Sequence, residues 1–267
     1  MSDATDPYVL AQAAAEALLA ALGVTRLTTA IVLGSGWAGG AADLPFEAEA
    51  QLADLPGFSK PVVAGHGGSV RLVRTGSGEA AALFNGRTHL YEGRGVAPVV
   101  HGVRTSAAAG ARRLILTNGC GSVNPALVPG QPVLLRDHLN LTGATPLVGP
   151  RFIDMTTPYA QSLRDLAHRV DGTLPEGVYA QFHGPAYETS AEVRMAGILG
   201  ADLVGMSTGL ECIAARELGM DVLGISLVTN LAAGLAPNPL SHAEVMQAGN
   251  EAIPRLGSLL RGLLDRL

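Results

Sequence analysis

Short apolar runs rich in β-branched residues recur along this chain. Each stops at a glycine or a polar group, and many are followed by a helix-length stretch. Thr29 to Leu33 runs into Gly34, Ala81 to Asn85 into Gly86, and Val222 to Val228 into Thr229 and Asn230. Runs this short, apolar in both phases, read as strands buried on both faces. Further strands are expected at Val70 to Arg74, Leu114 to Asn118, Val133 to Arg136, Val178 to Phe182 and Leu203 to Met206. Helical patterns cover Tyr8 to Leu22, which stops at Gly23, then Pro98 to Ala109, Pro158 to Val170, Ser190 to Leu199, Leu210 to Leu218 and His242 to Leu264, with a bend expected at Pro254. The alternation restricts the chain to the α/β class, with a mixed central β-sheet flanked by helices on both faces. Residues 34–85 are less regular and hold at least two antiparallel-looking segments, which excludes a purely parallel doubly wound sheet.

No Ser/Pro-rich linker, charge run or internal repeat divides the chain, so residues 1–267 read as one domain. Its 48% hydrophobic and 15% charged residues, with 34 glycines, suit a compact enzyme with many tight strand-helix turns. A formal net charge of -5 argues against nucleic acid as a partner, since backbone affinity needs clustered Lys and Arg. Any anion must be bound locally. Cys120 and Cys212 share no metal-like spacing, so neither a metal nor a disulfide framework is expected, and a reducing cytoplasm is the expected setting. The opening Met-Ser-Asp-Ala-Thr-Asp lacks a cationic leader pattern. No uninterrupted apolar run reaches about 18 residues, and no membrane association is expected.

Gly34 to Gly39 (GSGWAG) fits the dinucleotide pattern G-x-G-x-x-G, and Asp54 follows 20 residues after Gly34. That would make the chain an NAD-dependent oxidoreductase. Against it, Leu44-Pro45 interrupts the required helix and Asp54 sits in a turn, Ala53 to Gly57. Two other readings stand beside it: a glycine turn that lets Ser35 and backbone N–H groups approach an anion, and a tight turn only.

Gly86 to Gly93 (GRTHLYEG) sets a guanidinium, a hydroxyl, an imidazole and a phenol within five residues. In extended backbone Arg87, His89 and Tyr91 would point to one side. Arg offers a planar fork suited to phosphate, and His a further donor or proton. Taken alone, the segment reads more readily as a solvated turn whose His caps the core. Polar groups recur at other strand ends: Tyr187-Glu188, the Gly205-Met206-Ser207 turn, and Thr229-Asn230. Ends of buried apolar segments are where α/β proteins keep ligand sites.

With the turn at Asn118 to Ser122, these pieces resemble the trimeric purine nucleoside phosphorylases, the branch that also includes methylthioadenosine phosphorylase. GSGWAG, AGHGG, GRTHLYEG, TNGCGSVNP, RDHLNLTG, HGPAYET, GMSTGLE, SLVTN and SHAEV occur in the family order from about Ile31 to Val245. The resemblance implies reversible phosphorolysis of a purine ribonucleoside or deoxyribonucleoside to free base and (deoxy)ribose 1-phosphate, in the service of purine salvage. It implies no cofactor, inorganic phosphate being a co-substrate. By the same resemblance Ser35, His66, Arg87, Thr88, His89, the backbone of Gly119 and Ser207 surround phosphate. Tyr91, Met206 and His242 lie on the ribose side, while Tyr187, Glu188 and Asn230 hold the purine. Asn230, Glu188 and His89 are the implied catalytic residues. Met206 by itself also reads as core filling, and His242, after Ser241, as part of a helix start.

A carboxylate at Glu188 accepts from the N1–H of a 6-oxopurine, and an amide at Asn230 can donate to O6 and bond N7. Asn230 stands where the methylthioadenosine branch has Asp, so inosine and guanosine are the expected substrates, with methylthioadenosine phosphorolysis the alternative. Phe152 matches a residue that reaches into the neighbouring subunit's sugar pocket, which implies a homotrimer. Three features depart from the family pattern: a short segment from Thr142 to Pro150, Gly119-Cys120 in place of two alanines, and Leu210 in place of proline. A non-catalytic nucleoside-binding protein is the remaining rival from another class.

Overall fold

All five residues of β1 (Thr29–Leu33) are buried, and neighbours along the strand belong to two different cores. Ala30 and Val32 join Leu72, Phe84, Leu114 and Leu116, whereas Ile31 and Leu33 join Leu83, Ile115, Ile225 and Leu227. Side chains alternate across a strand, so a run apolar in both phases serves a sheet covered on both sides. The structure, a computed structural model, describes residues 6–59, 68–235 and 242–267, excepting the side chains of 242–246.

In chain order the elements are α1 (Pro7–Leu22), β1, β2 (Ala48–Gln51), β3 (Ser69–Arg74), β4 (Ala80–Asn85), α2 (Val96–Val99), α3 (His101–Ala108), β5 (Arg113–Ser122), β6 (Pro132–Asn140), α4 (Gln161–Val170), β7 (Glu176–Gln181), α5 (Ser190–Ile198), β8 (Leu203–Gly205), α6 (Gly209–Glu217), β9 (Asp221–Leu231) and α7 (His242–Leu264). Leu18 of α1, Val103 of α3 and Ala214 of α6 cover one face of the sheet. Leu256, Leu259, Leu260 and Leu263 of α7, with Leu163 and Leu166 of α4, cover the other. The expected α/β class and mixed sheet are therefore present. The end of α1 is set locally: the Asp6 side chain accepts from the Tyr8 N–H at 2.8 Å, and Gly23 closes the helix at φ 67°.

Strands β4, β1, β5 and β9 run parallel, and β2 and β3 extend this array antiparallel beyond β4. Past Cys120 the register of β5 against β9 shifts. There Gly121 and Ser122 also pair antiparallel with β8. Because β8 pairs with β7, β7 with β6, and β6 with β9, the strands β5, β9, β6, β7 and β8 close on themselves. A bulge of this kind bends a strand and redirects its end, which is what a shared strand requires.

Three local expectations change. β2 (AEAQ) carried no strand signal, because its small and charged residues have little β-propensity; pairing with β3 makes it a strand, and Ala48 and Ala50 pack on the core. The single helix expected from Pro98 to Ala109 is two, α2 and α3, parted at Val100 with φ -103° and ψ 5°. The helix expected from Pro158 starts at Gln161, because Tyr159 is fully buried and the Ala160 N–H donates to the Val222 carbonyl at 2.8 Å. α7 stays helical through Pro254. Among the described residues no helix is long and apolar enough to cross a membrane.

Candidate active site

The parallel strands β1, β4, β5 and β9 deliver their C-terminal ends to one cleft of about 290 Å³, the position at which open α/β sheets bind ligands. Ser35 follows β1, Arg87 follows β4, Gly119 lies in β5, Met206 and Ser207 follow β8, and Asn230 lies in β9. The segment after β7 adds Tyr187 and Glu188, and the turn after β4 adds His89 and Tyr91.

The glycine motif after β1 makes a turn and no long helix: a 3₁₀ turn at Gly39–Ala41 is all that follows. Its glycines serve close packing. A Cβ on Gly34 would lie 2.8 Å from the Asn118 Cα, and one on Gly39 would lie 2.7 Å from the Ile253 Cγ1. Asp54 sits in a second 3₁₀ turn, Leu52–Asp54, not at a strand end. The pyrophosphate of a dinucleotide is held at a helix N-terminus, which this turn does not offer, so the NAD reading loses its basis.

One wall of the cleft is cationic. The Arg87 side chain is only 3% exposed; its Nη1 donates to the Thr117 carbonyl at 2.6 Å and lies 3.3 Å from the Ser207 hydroxyl, while its Nε donates to Glu211 at 3.2 Å. Gly119 passes close to Ser35, whose carbonyl would be 3.3 Å from a Cβ placed there. The rings of His89 and Tyr91 stack at 4.7 Å with 13° between planes. Both do face the cleft, though the backbone is extended only as far as His89; Tyr91 lies in a 3₁₀ turn, Leu90–Glu92, closed by Gly93. A fixed guanidinium beside hydroxyls and backbone groups is the chemistry that holds an oxyanion in an acidic protein.

The same cleft is also lined by a carboxyl, Glu188, and an amide, Asn230. Glu188 is 7% exposed, and its Oε1 has no hydrogen-bond partner among the described residues. Burial pushes its carboxyl above the usual carboxylate range, partly opposed by a backbone hydrogen bond. Asn230 donates one amide N–H to the Leu231 carbonyl at 2.9 Å. The Thr229 hydroxyl stands 2.7 Å from Asn230 Oδ1 and 3.1 Å from the Cys120 carbonyl, with one proton for the two acceptors. Tyr187 is half-exposed at the rim, and burial raises the Tyr91 phenol.

Four residues named from the sequence stand apart. Thr88 lines a smaller cavity on the other side of Arg87, beside Phe84 and Val99, rather than the cleft. Phe152 is 96% exposed and touches no part of the cleft of its own chain. His66 lies outside the described residues, as does the side chain of His242, although the latter residue begins α7. Among the described residues no group of three His, Cys, Asp or Glu side chains is placed to hold a metal ion.

Glu211 and Thr208 are not among the residues expected at the site. The Thr208 N–H donates to Glu211 Oε2 at 3.0 Å, and Asn118 Nδ2 donates to the Thr208 hydroxyl at 2.8 Å. The spacing Thr208-x-x-Glu211 is a capping-box signature and could have marked both.

Fold and cleft together define an α/β protein whose strand ends gather a guanidinium, hydroxyls, a buried carboxyl and an amide in one cleft. The model of the phosphorylase superfamily matches residues 28–265. A purine nucleoside phosphorylase of Cellulomonas sp is 61% identical, over 98% of this chain and 95% of that protein. One of Mycobacterium leprae is 51% identical, over 98% and 97%. A solved structure of isoform 2 of purine nucleoside phosphorylase from Schistosoma mansoni, in complex with cytosine and ribose-1-phosphate, superposes with a TM-score of 0.87 at 31% identity, covering 97% of each chain. The chain belongs to the phosphorylase superfamily, as an enzyme of the purine nucleoside phosphorylase family.

Proposed function

We propose that the enzyme catalyses reversible phosphorolysis of purine ribonucleosides and deoxyribonucleosides and prefers 6-oxopurines, inosine and guanosine. One observation carries the preference: a buried carboxylate oxygen of Glu188, without a partner, shares its cleft with Asn230. A buried acceptor left unpaired is costly, and the N1–H of a 6-oxopurine supplies the missing donor. Adenine has no such N–H.

In this reading Arg87, Ser35, Ser207, His89 and the Gly119 backbone hold phosphate against the face of C1′ opposite the base. The bond from a phosphate oxygen to C1′ forms as the bond from C1′ to N9 breaks. The electron pair passes to the purine, which takes up a proton, balanced by the one the phosphate gives up on forming its ester, while positive charge develops on the sugar. Asn230 keeps a second amide N–H beyond the one bonded to Leu231, and it donates this to the purine as negative charge grows there. Glu188 fixes the base in register, Tyr187 packs on it, and Tyr91, Met206 and His242 hold the sugar. The protein supplies no covalent nucleophile. No cofactor is required, and phosphate is the co-substrate.

Purine salvage is the role this reaction serves. Cys120 and Cys212 are buried and free, in keeping with a reducing, cytoplasmic setting. In this reading Phe152 enters the sugar pocket of a neighbouring copy, and a homotrimer is the assembly proposed; the near-complete exposure of Phe152 in one chain supports this. Phe152→Ala should raise the nucleoside KM several-fold, about what losing one buried aromatic contact costs. The mass in solution should be that of three chains.

The deciding assay follows base release from inosine, guanosine and adenosine with and without phosphate. Release from inosine and guanosine only when phosphate is present is the expected result. Release without phosphate would make the enzyme a hydrolase, and binding without any release would leave only a nucleoside-binding protein.

A further inference from the structure

We propose that Glu211 is a positioning residue that joins Arg87 and the Ser207-Thr208 turn into one preformed phosphate-binding unit. This rests on the assignment of Arg87 and Ser207 to phosphate. Glu211 does not line the cleft. It stands behind it, 2% exposed, in the first turn of α6.

Its carboxylate takes hydrogen bonds from two directions. Arg87 Nε lies 3.2 Å from each carboxylate oxygen, and the Thr208 N–H donates to Oε2 at 3.0 Å. The two donors belong to segments more than a hundred residues apart in the chain, the arm after β4 and the turn after β8. Thr208 also holds φ 79°, a conformation that a β-branched residue adopts only when its surroundings enforce it. The bond to Glu211 and the bond from Asn118 to the Thr208 hydroxyl supply that enforcement. Ser207 precedes this strained residue, and its hydroxyl lies 3.2 Å from that of Thr208 and 3.3 Å from Arg87 Nη1. The directions of the Ser207 hydroxyl and of the Arg87 guanidinium are thus fixed by the same carboxylate.

Glutamine matches this side chain in size and cannot replace it. With its single carbonyl oxygen toward Thr208, and so still within reach of Arg87 Nε, its NH₂ comes equally close to the Arg87 Nε–H; turned over, the NH₂ faces the Thr208 N–H. Either way two donors oppose each other, which only a carboxylate avoids.

The test is Glu211→Gln assayed with phosphate varied at saturating inosine, and with inosine varied at saturating phosphate. KM for phosphate should rise by about tenfold or more, the usual scale for a lost charge-assisted hydrogen bond, while KM for inosine stays within about twofold. A merely structural role would move both together with Tm. Loss of the neutralising charge alone would tighten phosphate binding, so a fall in phosphate KM also overturns the proposal. Thermal shifts give a second readout: the rise in Tm produced by phosphate should shrink in the variant, and that produced by hypoxanthine should not. An equal loss of both shifts, or of neither, counts against it. Finally, Glu211→Gln should add nothing to the phosphate KM of Arg87→Met, because it acts through Arg87; additive effects would sink the idea. If Arg87→Met leaves the phosphate KM unmoved, the phosphate assignment itself fails. If Arg87→Met raises it and Glu211→Gln does not, only the role of Glu211 fails.

Discussion

The indole Nε1 of Trp37 donates to the backbone carbonyl of Asn118 across 2.9 Å, tying the turn after β1 to the part of β5 that lines the cleft. Trp37 is fully buried, so this bond is made without competition from water. Trp37→Phe removes the donor and some packing volume and leaves the carbonyl without that partner. The expected loss is about 1–3 kcal/mol, read as a lower midpoint of urea unfolding followed by circular dichroism. Because Asn118 borders the cleft, kcat/KM should fall as well. An unchanged midpoint would show that the indole bond contributes nothing.

Glu188 sets stability against function. Its folded-state pKa lies above the ordinary 4.5, so the folded chain binds more protons than the unfolded chain between those two values. Stability of the unliganded enzyme should therefore fall as pH rises through that window and stay lower above it. Glu188→Gln lacks this step. It should unfold at a higher temperature than the wild type at neutral pH, yet lose about 10²-fold or more in kcat/KM for inosine. Parallel losses of Tm and activity would contradict this account.

At Asn230 the discriminating change is to Asp. A carboxylate accepts from the C6 amine of adenosine and repels the O6 of inosine. Asn230→Asp should shift the ratio of kcat/KM for adenosine over inosine upward by about tenfold or more. If base-release assays find the ratio unmoved, Asn230 does not read position 6.

Strong acid should weaken the join between α4 and α7. Hydrogen bonds from Thr173 and then Arg255 hold the Asp171 carboxyl at about 2, below its ordinary 3.8. A depressed folded-state pKa gives stability that is fully present above 3.8 and is lost as pH falls toward about 2. Asp171→Asn should flatten the acid limb of Tm against pH in that window while lowering Tm modestly at neutral pH. An identical acid limb in the two proteins would remove Asp171 from the explanation.

The strands that carry the site were legible because each is an apolar run ended by a polar residue. Leu33 before Ser35 and Val228 before Asn230 are examples, and the structure brings those ends together. Arg87, His89 and Tyr91 were legible as a group from their spacing, although a 3₁₀ turn rather than extended backbone aims Tyr91. Closure of β5, β9, β6, β7 and β8 was not legible. It depends on a bulge at Cys120 and Gly121 and on the three residues of β8, whose pairing is decided by partners distant in sequence. β2 was missed for a related reason: Ala48 to Gln51 form a strand only because β3 is beside them. Glu211 escaped notice because its partner Arg87 is remote in the chain, so the local pattern showed a helix cap and concealed the ion pair.

Strand closure has a further effect on how copies of this chain behave when crowded. Among the described residues, every strand except β2 has a partner strand on each side over at least part of its length, so β2 is the one strand with a whole edge unpaired. That edge is only four residues long and mostly small or polar. Glu49 within it pairs with Arg71 at 2.8 Å, and Glu47 just before it pairs with Arg74 at 2.7 Å. A short edge bearing charge is a poor template for an incoming strand. Closing five strands into a ring leaves little exposed ladder on which aggregation by strand addition could start.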